Sequence, residues 1–158
     1  MDDLNYEIIG ALVLLAVLFF GLAEWMRYVR FRKYLALDSD VRLHQAPNRE
    51  QHVVTGSIGM AMSRADKNVK GLLVLSLSFR NSAFSIPSVD QLYFKADSAQ
   101  YLSVGFRIRR HDLRPLRGQQ VSIRLKGRLY LKNGSTKLIK AVISVSIPKA
   151  EDAIGAEG

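Results

Sequence analysis

The stretch Ile8 to Met26, IIGALVLLAVLFFGLAEWM, constrains the chain more than any other, because it holds 19 residues with a single ionisable group, Glu24. It is apolar on every face rather than along one stripe, the pattern of a helix surrounded by lipid and not of one lying on a surface. At about 1.5 Å per residue it measures roughly 28 Å, close to the hydrocarbon thickness of a bilayer. A buried core helix and a cleaved signal peptide are the other origins of such a run. The core helix is disfavoured because the following hundred residues read as a self-sufficient β domain. The signal peptide is disfavoured because MDDLNYE has no basic lead-in and GLAEWMRY has no small-residue cleavage site. The segment is expected to remain as a single-pass signal-anchor, a transmembrane helix over 8–26 behind a short acidic tail, 1–7.

Its flanks set the expected orientation. Four acids, Asp2, Asp3, Glu7 and Glu24, and no Lys or Arg fall within residues 1–26. Arg27, Arg30, Arg32 and Lys33 follow at once. By the positive-inside rule this places the N-terminus outside and the remainder in the cytoplasm, at the cell (inner) membrane. Residues 27–37, RYVRFRKYLAL, lack Gly and Pro and are expected to extend the helix. Trp25, Arg27, Tyr28, Arg30, Arg32 and Lys33 form the expected membrane interface, in contact with anionic lipid headgroups or serving only as a stop-transfer flank.

Beyond the anchor the composition changes character. Of the chain's 23 Lys and Arg and 14 acids, all 23 cations and 10 acids lie in residues 27–158, a formal +13. Polyanions are the natural partners of so basic a domain, whether anionic lipid headgroups, acidic protein faces or nucleic acid. There is no cysteine, so neither a disulfide framework nor a thiolate metal site is available. Residues 38–52 turn polar, with Pro47 and Asn48 marking a linker.

From residue 53 the apolar period falls to two, the signature of strands. Leu73, Leu75, Leu77 and Phe79 alternate in one run, and Leu102, Val104, Phe106 and Ile108 in another. Val121, Ile123 and Leu125, then Ile139, Ala141, Ile143, Val145 and Ile147, complete the clear cases. Weaker strands are expected at 53–62 and 89–96, and a short one near 41–45. The prediction is therefore a mainly β domain over 53–147, an antiparallel β-sandwich (immunoglobulin-like) or small barrel of six to eight strands, followed by a disordered tail at 148–158.

The hairpin in LYLKNGSTKL predicts its own register. A two-residue Asn133-Gly134 turn would set Ile123 opposite Ser144 and Val145 opposite Ser122, mixing the two faces. A three-residue loop, Lys132 to Gly134 with Gly134 in the left-handed region, sets Val121 on Val145, Ile123 on Ile143 and Leu125 on Ala141. A bulge at Gly127 is the other way to the same match. Asn133-Gly134-Ser135 is also a formal glycosylation acceptor, but turn chemistry accounts for it.

Signatures of catalysis are missing. His44, His52 and His111 have no ligand spacing, so no metal and no cofactor is expected. Asp66 and Asp97 sit in turn contexts, and no carboxylate pair, phosphate-cradling glycine loop or nucleophile elbow is visible. An enzyme is not expected. One cluster stands out, FRIRRHDLRPLRGQQVSIRLKGR, with Arg107, Arg109, Arg110, Arg114, Arg117, Arg124, Lys126 and Arg128 against the single acid Asp112. Since Val121, Ile123 and Leu125 point inward, the strand's outer face and the preceding loop are expected to share one positive surface. Its arginines suit bidentate contact with phosphate or carboxylate, and a merely solvated, aggregation-resisting face is the plain alternative. Nucleic acid fits less well, because no stacking aromatics are interleaved with the cations. Two functions are consistent with these features. One is a non-enzymatic accessory or scaffold subunit of a membrane-protein complex, its basic domain docking by protein-protein interaction or on an anionic membrane. The other is a membrane-tethered sensor that binds a small anionic or nucleotide ligand through the arginine cluster.

Overall fold

The computed structural model describes residues 2–44, 52–87, 89 and 92–149. Among the described residues a long helix, α1 (Asp2–Tyr34), leads into eight strands. These are β1 (Leu35–His44), β2 (Val53–Ala65), β3 (Val69–Phe79), β4 (Phe84–Ser85), β5 (Leu92–Lys95), β6 (Tyr101–Arg109), β7 (Gln120–Leu131) and β8 (Thr136–Ser146). A four-residue helix, α2 (Arg110–Leu113), and a 3-10 turn at Arg114–Leu116 join β6 to β7.

The strands form two antiparallel four-stranded sheets, ordered β1-β2-β6-β4 and β5-β3-β7-β8. The sheets pack face to face as a sandwich and do not close into a barrel. The order β1-β2-β6-β4 against β3-β7-β8 matches the A-B-E-D against C-F-G arrangement of immunoglobulin-like domains, with β5 added beside β3. Alternation along each strand supplies the filling between the sheets: Ile58 and Met60 from β2, Val104, Phe106 and Ile108 from β6, Val121, Ile123, Leu125 and Leu129 from β7, and Ile139, Ala141 and Val145 from β8 are all buried. Phe79 stacks on Phe84 at 4.1 Å between centroids, and both meet Phe106 edge-on at 5.3 and 5.6 Å, closing one end of this core. Gly56 lies opposite Phe106, where a Cβ would run into the ring and into the Arg42 carbonyl oxygen, so the close approach of β1, β2 and β6 requires a glycine.

The β7–β8 hairpin has the three-residue loop. Val121 pairs with Val145, Ile123 with Ile143 and Leu125 with Ala141, and Gly134 takes φ 81°. Matching of apolar faces therefore outweighs the two-residue turn that Asn-Gly would favour locally. The Asn133 carboxamide accepts hydrogen bonds from the Ser135 N–H at 3.1 Å and hydroxyl at 2.7 Å, which fixes the loop.

At the junction of helix and sandwich the chain behaves differently from the sequence expectation. The helix ends at Tyr34 rather than at 37, and β1 occupies 35–44 where the helix end and the start of a linker were expected. Two captures explain this. Leu35 is buried in the core and pairs with Ala65, and the Tyr34 carbonyl accepts the Asp66 N–H at 2.8 Å, so the sheet takes over the chain without an intervening loop. The polar residues Asp38 and Asp40 that suggested a linker lie on an edge strand, where charge discourages pairing with other chains. Residues 45–51, including Pro47 and Asn48, lie outside the described residues, as do 150–158 of the expected tail.

The helix also packs against the sandwich. The Tyr34 hydroxyl accepts from Lys137 Nζ at 3.0 Å, Glu24 forms ion pairs with Lys140 and with Arg27, and Phe31 and Tyr34 pack on the core. Within α1, Ile8–Tyr34 is long and apolar enough to cross a membrane, with a hydropathy of 2.3, and none of its most apolar window is buried.

Candidate anion-binding surface

The structure separates the eight cations of the arginine-rich segment into three groups. Arg107 and Arg109 point outward from β6, in the first sheet, between the buried Phe106 and Ile108 and beyond. Arg124, Lys126 and Arg128 point outward from β7, in the second sheet, between Ile123, Leu125 and Leu129. The sheets face each other through the core, so these two groups lie on opposite sides of the sandwich. Arg110, Arg114 and Arg117 belong to the connection that crosses from one sheet to the other. The sequence reading puts the outer face of the 121–125 strand and the loop before it on one surface; Arg107 and Arg109 stand apart from that face, on a strand of the other sheet.

What the fold does bring together lies at that crossing. The Arg110 N–H donates to the His52 carbonyl at 2.8 Å, joining the start of α2 to the chain just before β2. Leu113 is buried and pins the connection to the core. Pro115 is the second residue of the 3-10 turn, and Gly118, at φ 73°, reverses the chain while its N–H donates to the Ile147 carbonyl at 2.9 Å. With its apolar side anchored in this way, the connection turns its cations outward. His52, Arg109, Arg110, His111 and Arg114 line an open depression of about 460 Å³.

Asp112, which is not itself among the lining residues, meets two of them. Asp112 accepts from Arg109 Nε at 2.9 Å and contacts His111 Nε2 at 2.8 Å. It orients the Arg109 guanidinium and offsets its charge. Arg109 and His111 are nevertheless largely exposed, with side chains 67% and 70% accessible. Arg117 lies outside the lining residues. In the sequence His52 and His111 figure only as candidate metal ligands; the place of His52 beside Arg110 depends on pairing between β2 and β6, which starts at Val53 and Arg109.

A second cluster, also missed, occupies the outer face of the first sheet. Tyr101 on β6 donates its hydroxyl to Asp40 Oδ1 on β1 at 2.6 Å, while Arg42 Nε donates to Asp40 Oδ2 at 3.0 Å. The intervening residue on β2 is Gly59, and a Cβ there would collide with the Tyr101 hydroxyl and the Asp40 carboxylate. The Tyr101 hydroxyl, followed by the Arg42 guanidinium, holds the Asp40 carboxyl below its usual range, and the same Asp40 pushes the Tyr101 phenol above its own.

The interface residues expected on α1 occupy its last three turns. Trp25 and Tyr28 are exposed and, with Val29, Phe31 and Arg32, border a depression against Lys140, Ala141 and Val142. Arg27 is turned toward Glu24, the Arg32 carbonyl accepts from Arg64 Nη2 at 3.0 Å, and Lys33 stands 5.7 Å from the Tyr34 ring. Among the described residues no three His, Cys, Asp or Glu side chains converge as a metal site would require. No protein-family model matches the chain, and no curated protein matches its sequence.

Proposed function

We propose that the protein is a single-pass, membrane-anchored, non-enzymatic accessory or scaffold subunit, oriented with its N-terminus outside and its β domain against the cytoplasmic face of the cell membrane. The observation that carries this reading is the continuity of an apolar helix with a basic sandwich: α1 passes into β1 at Leu35 and is tied along β8 through Glu24 and Tyr34. A domain held in this way cannot range far from its anchor, so its partners are the bilayer surface and proteins within or beside it. The exposed cations of β7 suit anionic lipid or an acidic protein face.

Co-purification of the full chain from native membranes in mild detergent, after chemical cross-linking in cells, tests the reading. Arg124→Glu with Arg128→Glu is expected to lose the proteins that the natural sequence retains. Recovery of the same proteins by both forms overturns docking through β7. Protease added to intact cells tests sidedness separately, and digestion of the β domain under those conditions overturns the cytoplasmic placement. The sensor reading has one specific observation in its favour, the gathering of three arginines and two histidines around one depression.

A further inference from the structure

We infer that the outer face of the β5-β3-β7-β8 sheet is the surface that the domain lays against the bilayer, and that its ligand there is anionic lipid. The inference rests on the membrane-spanning α1 of the proposed function, but not on the side the domain occupies or on the scaffold role. The path of the helix carries it. Phe31 and Tyr34 pack on the core where the chain enters β1, whereas Arg27 borders one depression with Leu75, Lys126 and Leu138, and Glu24 meets Lys140. Followed from Tyr34 back to Glu24, α1 therefore passes from the edge of the sandwich onto the outer side of the second sheet. Residues 8–22 are exposed throughout, so the helix leaves the domain from that side.

The place where it leaves sets the height of the bilayer surface. Glu24, Trp25, Arg27 and Tyr28 end the apolar run and mark the headgroup level of the helix. The side chains around this turn belong to the outer face of the sheet: Lys140 on Glu24, Leu75 and Lys126 around Arg27, and Val142 beside Trp25 and Tyr28. Where the helix meets the headgroups, this face meets them too.

The face has the composition that such a level requires. Across β7 and β8 its outward pairs are Arg124 with Val142, Lys126 with Lys140 and Arg128 with Leu138, so each arginine has an apolar side chain opposite. Leu75, Leu138 and Val142 are 45%, 45% and 48% exposed, although an antiparallel sheet with one buried face ordinarily turns polar residues outward. Cations interleaved with exposed aliphatic groups suit the membrane interface, where the aliphatic groups enter the acyl boundary and the long cations reach phosphate. None of the four strands contains Asp or Glu, so no carboxylate on them repels an anionic headgroup. An acidic protein face would satisfy the arginines equally, but it has no reason to lie at the height where the helix enters lipid.

The chain has no cysteine, so one introduced thiol reports on one place. Full-length Leu75→Cys, Val142→Cys, Ser103→Cys and Leu15→Cys proteins, each carrying a fluorophore, are placed in nanodiscs of phosphatidylcholine with or without phosphatidylglycerol. The lipids bear a quencher either at the top of the acyl chain or near its end. Ser103 is exposed on the outer face of the first sheet, and Leu15 lies within the apolar span. In anionic discs the shallow quencher is expected to act more strongly at positions 75 and 142 than at 103, and this excess should fall in high salt and without phosphatidylglycerol. Arg124→Gln with Arg128→Gln is expected to lower docking of the face about tenfold or more, since each cation near an anionic surface contributes about fivefold. Quenching at position 15 by the deep quencher should not change. If position 15 is quenched while 75 and 142 are quenched no more than 103, the anchor stands and the lipid face is overturned, leaving its arginines to an acidic protein. Equal quenching at 75 and 142 in the two disc compositions overturns the recognition of anionic lipid. Absence of quenching at position 15 overturns the membrane-spanning helix itself, and the face with it.

Discussion

On the outer face of the β1-β2-β6-β4 sheet, Arg42 has Asp40 as its partner and Tyr101 across it. On the outer face of the other sheet, Arg124, Lys126, Arg128 and Lys140 stand on strands that contain no carboxylate, for β3, β5, β7 and β8 have neither Asp nor Glu. The acid that one of these cations, Lys140, does meet is Glu24, which comes from the helix. The first sheet thus carries its counterion within itself, through β1, and the second borrows one from α1. A single ionisable residue near the end of an apolar helix then has a structural reason to be there, as the group that fastens the helix to a basic sheet.

Reversing that borrowed charge is the severest way to break the contrast. Glu24→Lys would place a fourth cation beside Lys140, Arg27 and Lys126, and the packing of α1 on β8 is expected to weaken. The pair is only partly buried, so the loss in global stability is expected to be small. The clearer readout is local. Trypsin should cut at Arg27, Arg30, Arg32 and Lys33 much faster in Glu24→Lys than in the natural sequence, both as full chains in detergent. Unchanged cleavage would mean that Tyr34 and Phe31 suffice to hold the helix.

The self-contained face is probed by Tyr101→Phe, which removes the hydroxyl and keeps the ring. Loss of one exposed hydrogen bond to a carboxylate is expected to cost about 0.5–1 kcal/mol. Its dependence on pH follows from the directions of the two shifts. Asp40 is held low in the folded protein, so its contribution is complete above the ordinary aspartate value, about 3.9, and is lost as pH falls through the lower folded value. Tyr101 is held high, so its contribution is complete below the ordinary tyrosine value, about 10, and is lost as pH rises through the higher folded value. The stability difference between Tyr101→Phe and the natural sequence, measured by urea unfolding, should accordingly be flat at neutral pH and shrink at both extremes. A difference that grows on acidification would show that Asp40 is stabilised by something other than this hydroxyl.

These two faces also mark how far the sequence could be read. Strands with strict alternation, such as β6, β7 and β8, were legible because one side of each is buried and period two leaves no other solution. The β7–β8 register was legible for the same reason, with Val121, Ile123 and Leu125 needing apolar partners. β1 was only partly legible, since its acids imitate a linker and its one strong signal, burial of Leu35, depends on β2 and on a core not yet assembled. The arginine cluster was legible as composition and not as geometry. Nothing local tells whether β6 and β7 share a sheet, and that single fact of topology divides Arg107 and Arg109 from Arg124, Lys126 and Arg128. His52, Tyr101 and Gly59 were invisible for a related reason, their roles arising from pairing partners up to 61 residues away.

The smallest effect is expected where charge has no partner among the neighbouring strands. Arg124 and Arg128 are exposed on β7, flanked on β3 by Ser78 and Leu73 and on β8 by Val142 and Leu138. None of these neighbours can form an ion pair with them, so Arg124→Gln and Arg128→Gln, alone or together, should change unfolding free energy by no more than about 0.5 kcal/mol. Their sign is informative. A slight gain would show that the second sheet is working against its own repulsion, relieved, among the described residues, at Lys140 by Glu24. A loss beyond about 1 kcal/mol in the isolated chain would mean that these arginines are paired within the molecule, and the contrast between a self-neutralised sheet and one that turns outward for its counterions would fail.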